Sequence, residues 1–295
     1  MTGNSSTLNG LTVDVEDWIQ SVFDPAAPLT DHFRRNTQCV LDALARRGVR
    51  ATFFVLGLAA RKAPDLVRTI HDAGHEVQSH GYGHCPLFSL TPRQFRDDLQ
   101  ASKTLLEDIL GHAVIGYRAP AFSITSTNLW ALDVLGECGF TYDSSIVPCK
   151  TRRYGIEGAP RFPHRVRTSQ GYSLLEIPVA TYRVGGRTLP LGGGGYFRLY
   201  PYPLIRRTLA QINREGSPGT VYFHPYEFNP TEMAELPCRI PIRLGIHQNL
   251  GRRSIPGKLN RLLGDFRLGP LREVIPSMAS VPTYAYGDSR VPMAV

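Results

Sequence analysis

The chain reads RATFFVLGLAARKAPDLVRTIHDAGHEVQS over residues 50–79, a strand, a helix and a second strand joined by short loops. The two strand-like runs are residues 50–56, rich in apolar and β-branched side chains, and residues 75–79. Between them a helix is predicted over Pro64–Ala73, and Gly74 ends it. Strands that alternate with helices predict parallel strands joined by right-handed crossovers.

The same alternation extends in both directions and predicts an α/β barrel of about seven strands. The other predicted strands are residues 11–14, 114–117, 174–177 and 220–223. The other predicted helices are residues 30–47, 91–110, 127–137 and 204–212. We assign residues 1–230 to the barrel and residues 231–295, where periodicity is weak, to a C-terminal extension packed on it. In such barrels the active site lies at the carboxyl ends of the strands.

Charge and composition narrow the partners. The chain has 295 residues, 42% of them hydrophobic, and a net charge of +8. Its basic residues are spread over residues 152–167, 239–253 and 261–272 instead of forming one run. A modest positive field attracts nucleic acid, an anionic membrane surface or a phosphate-bearing substrate. Since no nucleic-acid motif is present, we do not expect nucleic acid as a partner.

The cysteines and the first residues predict a cytoplasmic protein. Five scattered cysteines without a C-x-x-C pair argue against a disulfide framework or a zinc ribbon. Residues 1–10 are polar and lack the basic and apolar regions of a secretory signal. The sequence does not indicate an oligomeric state.

Three acids cluster after the first predicted strand: Asp14, Glu16 and Asp17. Adjacent carboxylates repel one another, so such a cluster is typical of a cation site or of proton transfer. A solvated loop whose acids cap a helix is the other interpretation.

Two histidines, His80 and His84, follow the third predicted strand four residues apart. Two imidazoles and one carboxylate form a standard zinc site that leaves a position open for water. Arg118 and His224 each end another predicted strand. An arginine there could orient a carboxylate, and a histidine could act as a general acid, although a surface ion pair and a packed core histidine are the simpler interpretations. Suggestive groups at four strand ends together favour an active site.

With these residues in these positions, residues 11–230 resemble the polysaccharide deacetylases of carbohydrate esterase family 4, which have the NodB-homology fold. The last part of the chain and several motif variants resemble the subgroup found with bacterial exopolysaccharide gene clusters. The motifs that carry the resemblance are Thr12-Val-Asp-Val-Glu-Asp17, Ala51-Thr-Phe-Phe-Val-Leu-Gly57, Ser79-His-Gly-Tyr-Gly-His84, Gly116-Tyr-Arg-Ala-Pro120, Tyr142-Asp-Ser-Ser145 and Val221-Tyr-Phe-His224.

The resemblance implies a distorted (β/α)7 barrel of the NodB-homology type and a divalent metal held by an Asp-His-His set. His80 and His84 match the histidine ligands. Asp14 matches the general base, Arg118 the residue that positions it, and His224 the general acid. The metal expected is zinc, with nickel, cobalt and iron as alternatives.

One departure concerns the carboxylate ligand. The family's two acids are adjacent, whereas Val15 and Glu16 separate Asp14 from Asp17 here. We expect Asp17 to be the ligand because this leaves Asp14 free as base. Glu16 is the alternative, since some relatives space the two acids by one residue.

The implied activity is hydrolysis of the N-acetyl group of an amino sugar, in a glycan or in a lipid- or nucleotide-linked glycan precursor. A backbone N–H beside Tyr82 or Phe122 is expected to stabilise the oxyanion, Tyr196 to contact the sugar, and Asp143 to orient His224. The alternatives are an allantoinase-like hydrolase of a non-sugar cyclic amide and a sugar-binding protein without catalysis.

Overall fold

The computed structural model describes residues 7–151, 153–236 and 238–286. The strands are β1 (Leu8–Val15), β2 (Thr52–Val55), β3 (Glu76–Ser79), β4 (Gly116–Tyr117), β5 (Tyr142–Asp143), β6 (His164–Arg167), β7 (Ser173–Glu176), β8 (Thr181–Val184), β9 (Arg187–Pro190), β10 (Thr220–Phe223), β11 (Arg267–Gly269) and β12 (Thr283–Tyr284). The α-helices are α1 (His32–Ala45), α2 (Gly57–Lys62), α3 (Pro64–Asp72), α4 (Pro92–Leu110), α5 (Trp130–Glu137), α6 (Gly194–Leu199), α7 (Tyr202–Arg214), α8 (Glu232–Glu235), α9 (Ile242–Asn249), α10 (Ile255–Asp265) and α11 (Leu271–Val274).

Seven parallel strands form the central sheet in the order β10-β1-β2-β3-β4-β5-β7. No strand ladder joins β7 to β10 within the described ranges. The chain that leaves β7 instead reaches β10, where the Ala180 N–H donates to the Thr220 carbonyl oxygen at 2.8 Å. The predicted fold class, a distorted (β/α)7 barrel of the NodB-homology type, is therefore confirmed, with an irregular closure.

Strand β1 shows how the barrel separates its two faces. Successive side chains of a strand point to opposite sides. Leu11, Val13 and Val15 join the large apolar core that includes the helices. Thr12 and Asp14 point the other way and contact a buried arginine inside the barrel. This alternation brings acidic groups into the interior and leaves the helix side of the same strand apolar.

The longest helix, α4, begins and ends as its sequence predicts. Thr91 Oγ1 accepts from the Gln94 N–H, and Gln94 Oε1 accepts from the Thr91 N–H. These two hydrogen bonds form a capping box at the start of the predicted helix. Gly111 ends the helix with a φ of 72°, a left-handed conformation that favours glycine. Among the described residues, no helix is both long and apolar enough to span a lipid bilayer.

The structure departs from expectation after residue 149. Residues 149–171, where the sequence predicted no strand, contain β6, which pairs antiparallel with β7. Its alternation of buried and exposed residues is present, but three of its four side chains are basic or histidine, which hides the apolar signal. The region assigned to the extension supplies β11, which pairs with β1, and β12, which pairs with β6. The domain division at residue 230 stays a prediction.

Candidate metal and catalytic site

The chemically suggestive residues meet at one end of the barrel. Glu16 follows β1, His80 follows β3, Arg118 follows β4 and His224 follows β10. All four strands are parallel, so their carboxyl ends lie at the same edge of the sheet. The groups suggested by the sequence therefore lie together in a buried cluster.

Glu16, His80 and His84 form the group that could hold a metal ion. Each offers one ligand atom, and these atoms lie within 4.8 Å of one another. Glu16 Oε2 lies 2.7 Å from His84 Nε2 and 3.5 Å from His80 Nε2. The other ring nitrogen of His80, Nδ1, lies 2.8 Å from the Arg118 carbonyl oxygen. A hydrogen bond there places the proton on Nδ1 and leaves Nε2 as the ligand atom.

The charge of Glu16 suits this role. Burial would raise the pKa of its carboxyl group, but the charges of His84 and His224 and hydrogen bonds from the histidines hold that pKa well below its usual range. Glu16 is therefore ionised at neutral pH, as a metal ligand must be.

Asp17, the expected carboxylate ligand, is not brought to the histidines. Its Oδ1 accepts from the Ile19 N–H at 3.0 Å, and its Oδ2 accepts from the Thr30 N–H at 3.0 Å and from the Thr30 hydroxyl. The physical reason is the strand alternation, which points Glu16 inward with Asp14 and points Asp17 outward. The carboxylate next to the histidines is Glu16, the alternative that the sequence left open.

The loop that carries the two histidines is held from helix α4. Asp98 accepts from the Tyr82 N–H at 2.8 Å and from the Gly83 N–H at 3.3 Å. Burial raises the pKa of Asp98, and these two N–H groups oppose the rise. Gly81 has a φ of 76° and His84, a non-glycine residue, a φ of 57°. Positive φ in a non-glycine residue is strained and concentrates at functional sites.

Arg118 positions Asp14 in the barrel interior. Arg118 Nη1 donates to Asp14 Oδ1 at 2.8 Å and to Thr12 Oγ1 at 2.7 Å, and the guanidinium is fully buried. Its Nε and Nη2 donate to the carbonyl and hydroxyl oxygens of Ser144. The guanidinium also lies over the Phe54 ring, 4.4 Å from its centroid. Asp14 is thus fixed and charge-paired, as the sequence-based role requires.

His224 lies on the opposite side of Glu16, with its Nε2 3.6 Å from Glu16 Oε1. Its Nδ1 lies 3.5 Å from Glu227 Oε2, which also accepts from the His224 N–H at 3.0 Å. Arg198 holds the other oxygen of Glu227, Nε to Oε1, at 3.2 Å. Burial would lower the pKa of His224, but the carboxylates of Glu16, Glu227 and Asp14 raise it to about 9.

Asp143, expected to orient His224, lies elsewhere in the structure. Its carboxylate accepts from the Ser145 hydroxyl and lies against Glu176. Burial raises the pKa of Glu176 well above its usual range, and the Asp143 charge raises it further. Because two adjacent buried negative charges repel, these carboxyl groups disfavour ionising together, and Glu227 instead of Asp143 accompanies His224.

The three expected substrate contacts have other roles as well. The Tyr82 N–H donates to Asp98 and the Phe122 N–H donates to the Ala119 carbonyl oxygen, so both amides are already engaged. The Phe122 ring packs edge-on against Tyr222, with ring centroids 4.9 Å apart. Tyr196 lies partly exposed in α6, with its ring 6.1 Å from that of Tyr200.

One cavity of the described structure is lined by residues outside this cluster. Its volume is about 1270 Å³, and none of the three candidate metal ligands lines it. Arg161, Arg183 and Arg187 are among its lining residues. The site chemistry is therefore inferred from the buried cluster and not from the cavity.

Two residues at the site could have been found from patterns already visible in the sequence. Glu16 shares strand parity with Thr12 and Asp14, which separates it from Asp17. Glu227 stands three residues after His224 behind a proline, the spacing of a capping box, and Glu227 Oε2 accepts from the His224 N–H as that spacing predicts.

The sequence comparisons divide the chain into two parts. Residues 16–142 match the family described as polysaccharide deacetylase, and residues 144–276 match a domain of unknown function, DUF3473. The peptidoglycan-N-acetylglucosamine deacetylase of Bacillus cereus is 33% identical over 98 residues, which are 33% of this chain and 36% of that protein. The chain thus spans about a third of the length of the curated relatives it matches.

Solved structures share the fold over most of the chain. A crystal structure from Mycobacterium smegmatis that is assigned to the polysaccharide deacetylases is 19% identical, with a TM-score of 0.60, and the match covers 92% of this chain and 91% of that one. The PuuE allantoinase structure is 15% identical with a TM-score of 0.59 and covers 94% and 92%. The fold alone therefore does not choose between these chemistries. The motif-bearing region, residues 16–142, is the part of the chain that matches the polysaccharide deacetylase family.

Proposed function

We propose that this protein is a metal-dependent hydrolase that removes the acetyl group from an N-acetylated amino sugar in a glycan or glycan precursor. The observation that carries the proposal is the convergence of Glu16, His80 and His84 with the Arg118–Asp14 pair and with His224. Each group needed for hydrolysis of an amide is present at one end of the barrel. The deacetylase name of the Bacillus cereus relative supports the same reaction class.

The Glu-His-His set fits a divalent metal. The three ligand atoms face one another, His80 has its second nitrogen bound to a carbonyl oxygen, and Glu16 is held ionised. Two imidazoles and a carboxylate suit zinc, and they also suit nickel, cobalt or iron. When bound, such a metal acidifies water and polarises a carbonyl oxygen.

Asp14 is proposed as the general base. Arg118, itself held by Thr12, fixes the orientation of Asp14 through Oδ1, so the other oxygen remains to accept a proton from the attacking water. Arg118 therefore acts as a positioning residue.

His224 is proposed as the general acid. Its Nε2 faces the metal-ligand cluster, while Glu227 lies at its other nitrogen. Tyr226 stacks on the imidazole, with ring centroids 4.8 Å apart, and fixes its plane. Since an amide anion is a poor leaving group, a proton delivered from this position allows the amine to depart.

The substrate class is proposed from the family, in whose named members the acetyl group is removed from peptidoglycan, chitin or chitooligosaccharides. A lipid- or nucleotide-linked precursor is included in the proposal, since net positive charge suits a phosphate-bearing carrier. An exopolysaccharide as the final product is a further proposal, supported by the sequence segments that resemble that subgroup.

The test combines metal content with acetate release from an N-acetylated chitooligosaccharide. We expect about one metal per chain and metal-dependent acetate release. His80→Ala is expected to lose both, and Asp14→Asn to keep the metal and lose the activity. His112→Ala is the matched control, since His112 is an exposed histidine that contacts His71 far from the site.

Allantoin serves as the second substrate. Hydrolysis of allantoin without acetate release from N-acetylated sugars would assign the protein to the cyclic amide hydrolases instead. A wild-type chain that binds no divalent metal under non-chelating conditions would contradict the proposed site itself.

A further inference from the structure

Helix α9 presents an apolar face to solvent. Ile242, Ile246 and Leu250 recur every fourth residue, on one side of the helix, and are 79%, 63% and 56% exposed. Leu199, 53% exposed, is next in the chain to Arg198, which donates to the Gln248 carbonyl oxygen near the end of the helix. Single exposed apolar residues are ordinary, whereas a contiguous set of four marks an interaction surface.

This exposed face is not needed to hold α9 on the barrel. The helix is anchored through Leu244 and the preceding Ile240, which pack partly buried against Trp18, Ile19 and Tyr226. Among the exposed side chains of this helix Ile242 and Ile246 are apolar, Leu250 follows at its C-terminal cap, and no partner among the described residues buries them. Burial in the folded chain therefore does not explain Ile242, Ile246 and Leu250.

The charged residues around this helix in the sequence are all basic. Residues 236–264 contain six arginines or lysines and no aspartate or glutamate. Arg252 is buried against Glu232, whereas Arg239, Arg243 and Arg253 are exposed. Within the described residues no acidic side chain forms an ion pair with those three. Apolar side chains flanked by unpaired cations are typical of a helix that lies in the interface of an anionic bilayer.

We propose that this protein docks on an anionic membrane through Leu199, Ile242, Ile246, Leu250 and the three exposed arginines, which we call the α9 surface. The apolar side chains enter the headgroup region and the guanidinium groups bind lipid phosphates. The occupant is the lipid surface itself, not a lipid in a pocket.

A second copy of the chain fits this surface less well. In a two-fold symmetric contact the same patch meets itself, so Arg239, Arg243 and Arg253 would face the same arginines of the other copy. The chain's net charge of +8 adds to that repulsion. An anionic bilayer supplies the opposite charge together with an apolar layer.

The α9 surface adjoins the proposed active site. Arg198, next to Leu199, holds Glu227, which lies at His224. The anchoring residues Trp18 and Tyr226 follow the carboxyl ends of β1 and β10. Docking through α9 would therefore bring the active-site end of the barrel close to the membrane, where a lipid-linked substrate is held.

The test is co-sedimentation of the full chain with phosphatidylcholine vesicles, with and without about one third phosphatidylglycerol. We expect binding to the anionic vesicles that weakens with salt and little binding to the neutral ones. Ile242→Ser with Ile246→Ser is expected to lower partition at least about tenfold, because two large apolar side chains are lost from the contact. Arg243→Glu with Arg253→Glu is expected to lower it by a similar factor.

Two control variants separate this surface from general stickiness. Val184→Ser removes a 47% exposed apolar side chain from the β8–β9 hairpin, and Arg46→Glu reverses an exposed charge at the end of α1. Both are expected to bind anionic vesicles like the wild type. Circular dichroism checks folding of every variant, and the arginine pair carries the test if the serine pair unfolds.

Three outcomes overturn the proposal: no binding of the wild type to anionic vesicles, equal losses in the control variants, or no loss in either α9 double variant. Self-association that the serine pair abolishes, without vesicle binding, would assign the surface to a second copy instead. Because vesicle binding is measured without substrate, failure here is independent of the deacetylase proposal.

Discussion

Two neighbouring carboxylates, Glu16 and Asp17, should respond to matched amide substitutions in opposite ways. Glu16 lies 2.7 Å from His84 Nε2 inside the barrel, whereas Asp17 is bound to Ile19 and Thr30 on the other side of the strand. Glu16→Gln and Asp17→Asn keep size and shape and each remove one charge. The first is expected to lose metal and keep stability, and the second to lose stability and keep metal.

The magnitudes follow from the contacts. The Asp17 carboxylate accepts three hydrogen bonds, from the Ile19 N–H, the Thr30 N–H and the Thr30 hydroxyl. An asparagine keeps one oxygen and turns its NH2 group toward at least one of these donors. Hydrogen bonds to a charged group contribute about 1.5–3 kcal/mol each, so a loss of about 3 kcal/mol is expected. In a chain of this size that lowers Tm by about 5 °C.

For Glu16→Gln the metal affinity should fall by more than the ten- to hundredfold that loss of an outer hydrogen-bond partner causes. Metal content of purified protein and competition with a chelating dye measure the affinity, and urea unfolding of the metal-free proteins measures stability. If Asp17→Asn loses the metal while Glu16→Gln retains it, the ligand is Asp17 and the inward–outward assignment of these side chains is refuted.

Three further predictions concern the surroundings of the site. Asp98→Ala should weaken metal binding about ten- to hundredfold in chelator competition, because Asp98 holds the loop that carries His80 and His84. Asp97→Ala on the same helix should leave metal binding unchanged. Equal effects of the two substitutions would contradict the role of Asp98 in holding the loop. Glu227→Gln should lower kcat for acetate release at least about tenfold, because His224 loses its carboxylate partner. Metal content and KM should not change. An unchanged kcat would show that Glu227 is dispensable. Burial lowers the pKa of His164 to about 4, below its unfolded value of about 6.5, so its contribution to stability is complete above pH 6.5 and is lost as pH falls toward 4. Urea unfolding at pH 7 and pH 4.5 should therefore show a pH-dependent loss about 2–3 kcal/mol larger in the wild type than in His164→Gln, and equal losses would argue against this titration.

The regular parts of the barrel were predictable because their signals are local. The capping box at Thr91, the glycine at 111 and the apolar run of β2 each depend on neighbouring residues alone. Strand β6 was missed because three of its four side chains are basic or histidine. In that strand the partner β7 supplies the pairing, and no local pattern reports it.

The sequence by itself located the candidate functional side chains at strand ends, since His80, Arg118 and His224 each come directly after a predicted strand. It left the carboxylate open, because a choice between Glu16 and Asp17 depends on which face of β1 lies inside the barrel. Strand parity restricts that choice, but the face toward the histidines is fixed only when the sheet curves and closes.

Only the tertiary structure decided which partners accompany those residues. Arg198, on helix α6 before β10, reaches Glu227 beside His224, while Asp143 turns to Glu176. Such contacts join residues far apart in the chain, and their energies depend on burial, which a linear pattern does not contain. The types of residue fix what chemistry is available, and the packing of the barrel fixes which of them act on one another.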